Sequence, residues 1–386
     1  MIGFLIFYFS VYGAMQAYIW LWCRRAWPDS SFIQWVAGVW LVLMVAAPPG
    51  VIQLERSGLF WPARIVAYIG YCWMPISLWV LSLGILTDLW NILAWTLHRF
   101  GGIADLRPPA HHAIVAFASI IVCTAIWAYF EARAVGVRHF RITTPRMASD
   151  ADPLRLVQIS DVHLGLTLRE DRLAHYLDLV KAADPDVLVC TGDLVDVSFD
   201  HLERAAAMLA DHSPPLGKYA VTGNHDYYAG LENSLRFFRE AGFRVLREES
   251  AEVDARLILA GVDDPAGSRT GERTLMNENA ALPEGKPAKP VILLKHRPRV
   301  RDESMSRFTL QLSGHSHGGQ IFPFTLLADA YHRYDPGLHR LPAGSYLYVT
   351  SGTGTWGPPF RVGSPPEIVV FTLVPGPELR VDSVDE

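Results

Sequence analysis

With 386 residues the chain has room for two or three domains. Half of its residues are hydrophobic, 19% are charged and the mean hydropathy is +0.17, which is too apolar for an ordinary soluble enzyme. The formal net charge of −5 gives no basic surplus, so no nucleic-acid partner is expected.

The apolar excess lies at one end. Residues 1–132 carry nearly all the long apolar runs and 11 of the 12 tryptophans, whereas 150–386 have an ordinary globular mixture. This predicts an all-α transmembrane domain of four helices over 1–132, a linker with an entering strand over 133–153, and a water-soluble domain over 154–386. The first span, 2–22, stops at Arg24 and Arg25; its length, the late arginine pair and the lack of a small-x-small cleavage site argue against a signal peptide. The second, 32–53, contains Pro48, Pro49 and Gly50. The third, 65–97, is longer than a ~30 Å hydrocarbon core requires, so it should tilt, kink at Pro75 or leave the bilayer near Asp88. A position near the water boundary is the simpler account of that carboxylate. The fourth span is 113–129. Arg56, Arg64, Arg133, Arg138, Arg141 and Arg146 flank one side of such a bundle, against Arg24, Arg25, Arg99 and Arg107 on the other. This predicts a multi-pass protein of the cell (inner) membrane with its soluble domain in the cytoplasm.

In the soluble part, 139–144 reads as an entering strand and 154–160 as a buried one. The spacing of Leu173, Leu177 and Val180 predicts a helix over 168–183. A strand at 186–191, a helix at 202–210, a strand at 217–222 and a helix at 231–241, closed by Gly242, continue the alternation. From Arg244 onward strands dominate, at 257–261, 291–294, 308–313, 346–351 and 367–373. The expectation is an α/β domain of two packed sheets with helices outside. Cys23, Cys72, Cys123 and Cys190 have no disulfide or zinc-ribbon spacing.

Polar clusters follow several of these strands directly. They are Asp161 and His163; Gly192 and Asp193; Gly223, Asn224, His225 and Asp226; His296; and Gly314, His315 and His317. Singly each has a bland explanation: Asp193 suits a helix cap, and His296 a satisfied edge histidine. Together, at successive strand ends, they read as a metal site assembled from loops, with glycines letting the backbone aim His315 and His317 at a shared centre. Imidazole, carboxylate and amide oxygen without thiolate suit Mn²⁺, Fe or Zn²⁺.

These blocks, in this order, resemble the calcineurin-like metallophosphoesterases over roughly residues 137–375, and no block departs from the pattern. Gly318, Gly319 and Gln320, with the stretch 349–361 and then Pro366 and Glu367, resemble the membrane-linked branch of that family. That branch includes predicted transmembrane phosphohydrolases and the diverged UDP-2,3-diacylglucosamine pyrophosphatases. The resemblance implies a four-layered α/β sandwich holding two divalent metal ions. One would be held by Asp161, His163 and His317, the other by Asn224, His296 and His315, with Asp193 bridging. It further implies that His225 donates a hydrogen bond or proton to the phosphoryl or leaving oxygen, with Asp226 orienting its ring. Two such ions lower the pKa of water and clamp phosphoryl oxygens during in-line attack.

The expected function is that of a membrane-bound dimetal phosphohydrolase acting on a phosphoester or pyrophosphate bond. Four spans exceed what an anchor needs and hold the domain beside the membrane lipid bilayer, which favours a lipid-linked substrate, for example of the UDP-2,3-diacylglucosamine type. The alternatives are a membrane-tethered phosphodiesterase for soluble nucleotides and a non-catalytic sensor or scaffold. Arg361, Arg297 and Arg299 are candidate phosphate grips, with a structural salt bridge as the equal alternative. His175, His201, His212, His332 and His339 read as surface or loop histidines, and 321–341 as a loop, either a lid that contacts an acyl chain or the bilayer surface or a local hydrophobic plug.

Overall fold

The computed structural model describes residues 2–197, 201–271, 277–285 and 287–384, and the chain divides into two compact units, Met1–Tyr129 and Phe130–Glu386.

The N-terminal helices are α1 (Ile2–Ala26), α2 (Ser31–Arg56), α3 (Phe60–Gly101) and α4 (Ala110–Glu131). Among the described residues α2, α3 and α4 are long and apolar enough to cross a membrane. The expected first span is helical as α1. Helix α3 is continuous through Pro75 and Asp88 for 42 residues, about 63 Å at 1.5 Å per residue. Asp88 takes a hydrogen bond from Tyr18 (2.6 Å) and pairs with Arg25 at 3.0 Å. Arg25 belongs to the last turn of α1, so Asp88 lies level with a helix end and its charge is answered there. All four cysteines are free.

The second unit is built on two sheets. The first has strands β1 (Gly136–Thr144), β2 (Leu154–Ile159), β3 (Val187–Cys190), β4 (Lys218–Ala220) and β5 (Arg244–Val245). The second has β6 (Glu249–Asp254), β7 (Leu257–Val262), β8 (Val291–Lys295), β9 (Leu310–Ser313), β10 (Gly337–Arg340) and β11 (Tyr346–Val349), and the chain then returns to the first with β12 (Glu367–Pro375) and β13 (Arg380–Ser383). The strand orders are β13-β1-β12-β2-β3-β4-β5 and β10-β11-β9-β8-β7-β6. Helices α5 (Glu170–Ala182), α6 (Glu203–Asp211), α7 (Asn224–Tyr228) and α8 (Leu231–Glu240) punctuate the first half; α9 (Gly267–Thr270), α10 (Glu278–Ala281) and α11 (Phe324–Tyr331) are short.

Alternation along the strands decides the layers. Leu154, Leu156, Val187 and Val189 of one sheet meet Leu257, Leu259, Ile292, Leu294, Leu310 and Leu312 of the other, and all are buried. The opposite side chains of the first sheet, such as Val157, Ile159, Leu188 and Cys190, lie under Leu173, Tyr176 and Val180 of α5, Leu209 of α6 and Phe237 and Phe238 of α8. The outer face of the second sheet is covered by Ala281 of α10, Leu282 and Phe308, so that layer is largely loop. The result is the α/β fold with mixed sheets that the pattern predicts.

The entering strand expected at 139–144 is β1, an interior strand in parallel register with β12 from Gly136↔Glu367 to Thr144↔Pro375. One expectation needs correction. Residues 321–341 are not all loop: they contain α11 and β10.

Register then places the site. Parallel pairings align Ile159 with Cys190, Cys190 with Ala220, Leu294 with Leu312 and Ser313 with Val349. Hence β2, β3, β4, β8, β9 and β11 all deliver the chain that follows them to the carboxyl edge of their sheets, where α/β folds place ligands.

Candidate metal centre

The loops at this edge are held in unusual backbone conformations. Asp161, His163, Asp193, His315 and His317 all have positive φ, between 48° and 77°. Left-handed backbone costs a non-glycine residue about 1–3 kcal/mol and persists only where its surroundings over-determine it. Here they do. The Asp161 and His163 amides donate to the carbonyls of Gly192 and Asp193, both at 3.0 Å, and the Gly354 amide donates to the Asp161 carbonyl at 3.0 Å. The fit excludes side chains at two glycines: a Cβ at Gly314 would lie 2.1 Å from Asp161 Oδ2, and one at Gly223 2.1 Å from Asp193 Oδ1.

Seven buried or nearly buried side chains converge as two adjoining groups. In the first, His163 Nε2 and His317 Nε2 are 3.0 Å apart, Asp161 Oδ1 is 3.6 Å from His317 Nε2 and Asp193 Oδ2 is 3.8 Å from His163 Nε2. In the second, His296 Nε2 faces Asp193 Oδ2 at 3.2 Å, His315 Nδ1 at 3.2 Å and Asn224 Oδ1 at 3.3 Å. At His296, Nδ1 lies 2.8 Å from the Thr191 carbonyl, which can only accept, so Nδ1 carries a proton and Nε2 is the nitrogen left to ligate. Burial opposes charge on this ring, but Asp193 outweighs it and raises the metal-free imidazole to about 10, so a cation bound there would displace a proton from Nε2. Burial and neighbouring positive groups hold His315 and His317 well below the ordinary imidazole value, so these two rings stay neutral and present lone pairs. Burial alone would raise the Asp193 carboxyl, but the facing imidazoles of His296 and His225 hold it ionised. Ligating atoms gathered this closely around two points, with protons that a cation can displace, suit a metal ion at each. The donor set of imidazole, carboxylate and amide oxygen therefore fits two divalent ions of borderline hardness. The ligand candidates named from the sequence are thus brought together; Asp193 adjoins both groups through His163 and His296, and His163 and Asp193 also lie within reach of His225.

His225 stands beside these groups, its ring centroid 4.7 Å from that of His163. Its expected orienting partner is corrected by the structure. Asp226 Oδ2 accepts the amides of Gly223 (2.7 Å) and Asp193 (3.1 Å), tying the Asp193 loop to the start of α7, and does not face the His225 ring. The reason is helical geometry, since adjacent residues on α7 point to different sides. The ring is faced by Asp196, whose Oδ1 lies 2.8 Å from His225 Nδ1. Burial opposes charge on His225, but Asp193 and Asp196 outweigh it and raise the imidazole to about 9, so it stands as a proton donor at neutral pH. Asp196 was missed in the sequence, where nothing ties it to His225, 29 residues further along the chain.

The arginines divide. Arg361 is fully buried and gives its guanidinium to the carbonyls of Gly354, Ser364 and Ser351, with Nη2 3.2 Å from His317 Nδ1, so it braces the site's wall and does not grip phosphate. Removing it strands those carbonyls. Arg361→Met should cost about 3 kcal/mol of stability, seen as a lower denaturation midpoint, and Arg361→Lys should recover only part because the planar fork is lost. Arg297 is paired with Asp264 at 2.7 Å. Among the outlying histidines, His332 is placed closer to the site than expected, its ring 6.5 Å from that of His315.

Residues 154–319 match the family of calcineurin-like phosphoesterases. The chain is similar to a protein of Aquifex aeolicus named an uncharacterized metallophosphoesterase, 42% identical over 66% of this chain and 97% of that one. It is also similar to proteins named transmembrane protein with metallophosphoesterase domain from Danio rerio, 34% identical over 72% of this chain and 68% of that one, and from Bos taurus, 31% identical over 75% and 68%. With its apolar helices and paired clusters of ligating side chains, the chain belongs to the calcineurin-like metallophosphoesterases, metal-dependent hydrolases of phosphoester bonds.

Proposed function

We propose that the chain is a membrane-bound phosphohydrolase in which Asp161, His163 and His317 hold one divalent ion and Asn224, His296 and His315 a second, with Asp193 shared. The observation that carries this is the convergence of ligating atoms from seven side chains around two adjoining points. When bound, the ions supply Lewis-acid activation of water and of the phosphoryl group. The protein's own part is to fix their ligands on strained, well-tied loops and to hold the protonated His225 where a departing oxygen needs a proton. Asp226 serves the metal loop, and Asp196 serves the ring.

The preferred substrate is lipid-linked, because the catalytic residues share a chain with helices that suit a bilayer. Cleavage of a UDP-2,3-diacylglucosamine type of pyrophosphate is one form of this reading; hydrolysis of soluble nucleotides by a tethered enzyme is the competing one. A cytoplasmic active site in a cell (inner) membrane is supported by the arginine distribution, and a reporter fused after Glu386 tests it. For the reaction, the purified full chain is stripped with chelator and assayed on bis-p-nitrophenyl phosphate with Mn²⁺, Zn²⁺ or Fe²⁺. Turnover restored by metal is expected, and its absence with every divalent ion would favour a scaffold. Mass spectrometry of headgroup, nucleotide or phosphate released from lipid extracts, set against free nucleotides, decides the substrate class.

A further inference from the structure

Helix α11 is the feature of the second unit that the chemistry does not use. A helix in a water-soluble domain buries one stripe of its surface, and an isolated helix of this length is marginal in water. Yet α11, with the sequence Phe-Thr-Leu-Leu-Ala-Asp-Ala-Tyr, buries none of its eight residues. Phe324, Leu326, Leu327 and Tyr331 are 51%, 60%, 60% and 83% exposed. Among the described residues after 133, nine large hydrophobic side chains are exposed, and six of them lie here: these four, Phe322 before them and Trp356 beside them. Such clustering marks an interaction surface.

Three observations say what covers it. First, the chain that supports α11 is bonded to the last residue of α4: Val362 pairs with Ile321 and accepts the Phe322 amide at 3.0 Å, and the next two amides, Gly363 and Ser364, donate to Glu131 Oε1 at 2.8 and 3.2 Å. Glu131 lies among the first residues of the second unit and ends, in sequence, the candidate span of α4, so the support of α11 is tied to the start of that unit. Second, Phe324, Leu327 and Tyr331 recur at i, i+3 and i+7, one face of the helix, while exposed Arg333 and Arg340 follow it. That is the pattern of a helix lying in a membrane interface, apolar side down with cations at headgroup level. Third, the patch borders the site: Gln320 clamps the Trp356 backbone with bonds of 3.0 and 2.9 Å, and the Trp356 ring is 5.7 Å from that of His225.

We propose that α11, with Phe322 and Trp356, is an interfacial element that enters the headgroup and upper acyl region of the bilayer and presents the mouth of the metal centre to it. This docking does not depend on a lipid being the substrate, since a tethered nucleotide hydrolase could use it equally.

The test uses the full chain in nanodiscs of phosphatidylcholine with a minor share of phosphatidylglycerol. In a background with Cys23, Cys72 and Cys123 replaced by alanine, a polarity-sensitive fluorophore is placed at Leu327→Cys or Tyr331→Cys. The control is Asp152→Cys, exposed at the amino end of β2, opposite the site. With a nitroxide on the upper acyl chains, the two α11 labels should be quenched several-fold more than the control and should emit toward the blue. Equal, weak quenching at all three positions overturns the proposal. Weak quenching with excimer formation between pyrene labels at Leu327→Cys assigns the face to a second copy of the chain and overturns it too. A second variant, Leu326→Asp with Leu327→Asp, should leave turnover of bis-p-nitrophenyl phosphate unchanged while shifting a Tyr331→Cys label out of reach of the nitroxide; a label that stays quenched overturns the proposal.

Discussion

Asp193→Asn is expected to empty both metal positions and to lower kcat/KM by about 1,000-fold or more. The size follows from what the carboxylate touches: its Oδ2 is 3.2 Å from His296 Nε2 and 3.8 Å from His163 Nε2, so it belongs to both groups at once. Loss of several kcal/mol of Lewis-acid stabilisation corresponds to that factor at 1.36 kcal/mol per tenfold. Asparagine is chosen because it keeps the shape of the side chain. Its amide oxygen, placed as Oδ1, can still accept the His225 amide at 2.8 Å, so folding should survive and thermal unfolding of the metal-free form should be nearly unchanged. The measurement is metal content per chain by mass spectrometry beside kinetics. Asp161→Asn makes the comparison sharp: Asp161 belongs only to the group of His163 and His317, so about one ion per chain should remain. If Asp193→Asn retains two ions, the shared-ligand assignment is wrong. If Asp161→Asn and Asp193→Asn lose metal to the same degree, the two positions do not fill independently.

How much of this was legible beforehand depended on distance along the chain. Each ligand follows a short buried strand such as Val187–Cys190 or Val291–Lys295, so both the strand and the residue that ends it could be read locally. The spacing of Leu173 and Val180 likewise showed α5, because a 3.6-residue period is a local signal. Asp196 was different. It is 29 residues from His225, and nothing in the spacing announces that the Asp193 loop folds back over α7. Arg361 read equally as a phosphate grip or a structural residue, because an arginine's partners cannot be seen until the loop 351–364 closes around it. Strand β5 has two residues and β6 is mostly exposed, so neither has an apolar pattern to detect. Helix α11 follows Pro323 and has no buried stripe, so it gave the signature of an apolar loop. The missed features are those whose meaning lies in a non-local partner, or in a partner outside the chain.

The roles of the three polar residues flanking the site can be separated by the leaving group. His225→Ala should keep both ions, since the ring lies beside the two groups, and should lower kcat by about 100- to 10,000-fold, the usual contribution of general acid catalysis. That loss should be largest for an alkyl phosphoester, whose alkoxide needs a proton, and smallest for p-nitrophenolate, which departs without one. Asp196→Asn keeps the ring but removes the carboxylate 2.8 Å from Nδ1, so it should show the same dependence on leaving group at about 10- to 100-fold. Asp226→Asn should behave otherwise. Its carboxylate holds the amides of Gly223 and Asp193, and loosening them should release metal and depress all substrates alike. A plot of log kcat against leaving-group pKa reads the difference directly: steeper than wild type for His225→Ala and Asp196→Asn, parallel to it for Asp226→Asn. A parallel line for His225→Ala would remove the proton-donor role, and a steep line for Asp226→Asn would return to it the orienting role that the sequence first suggested.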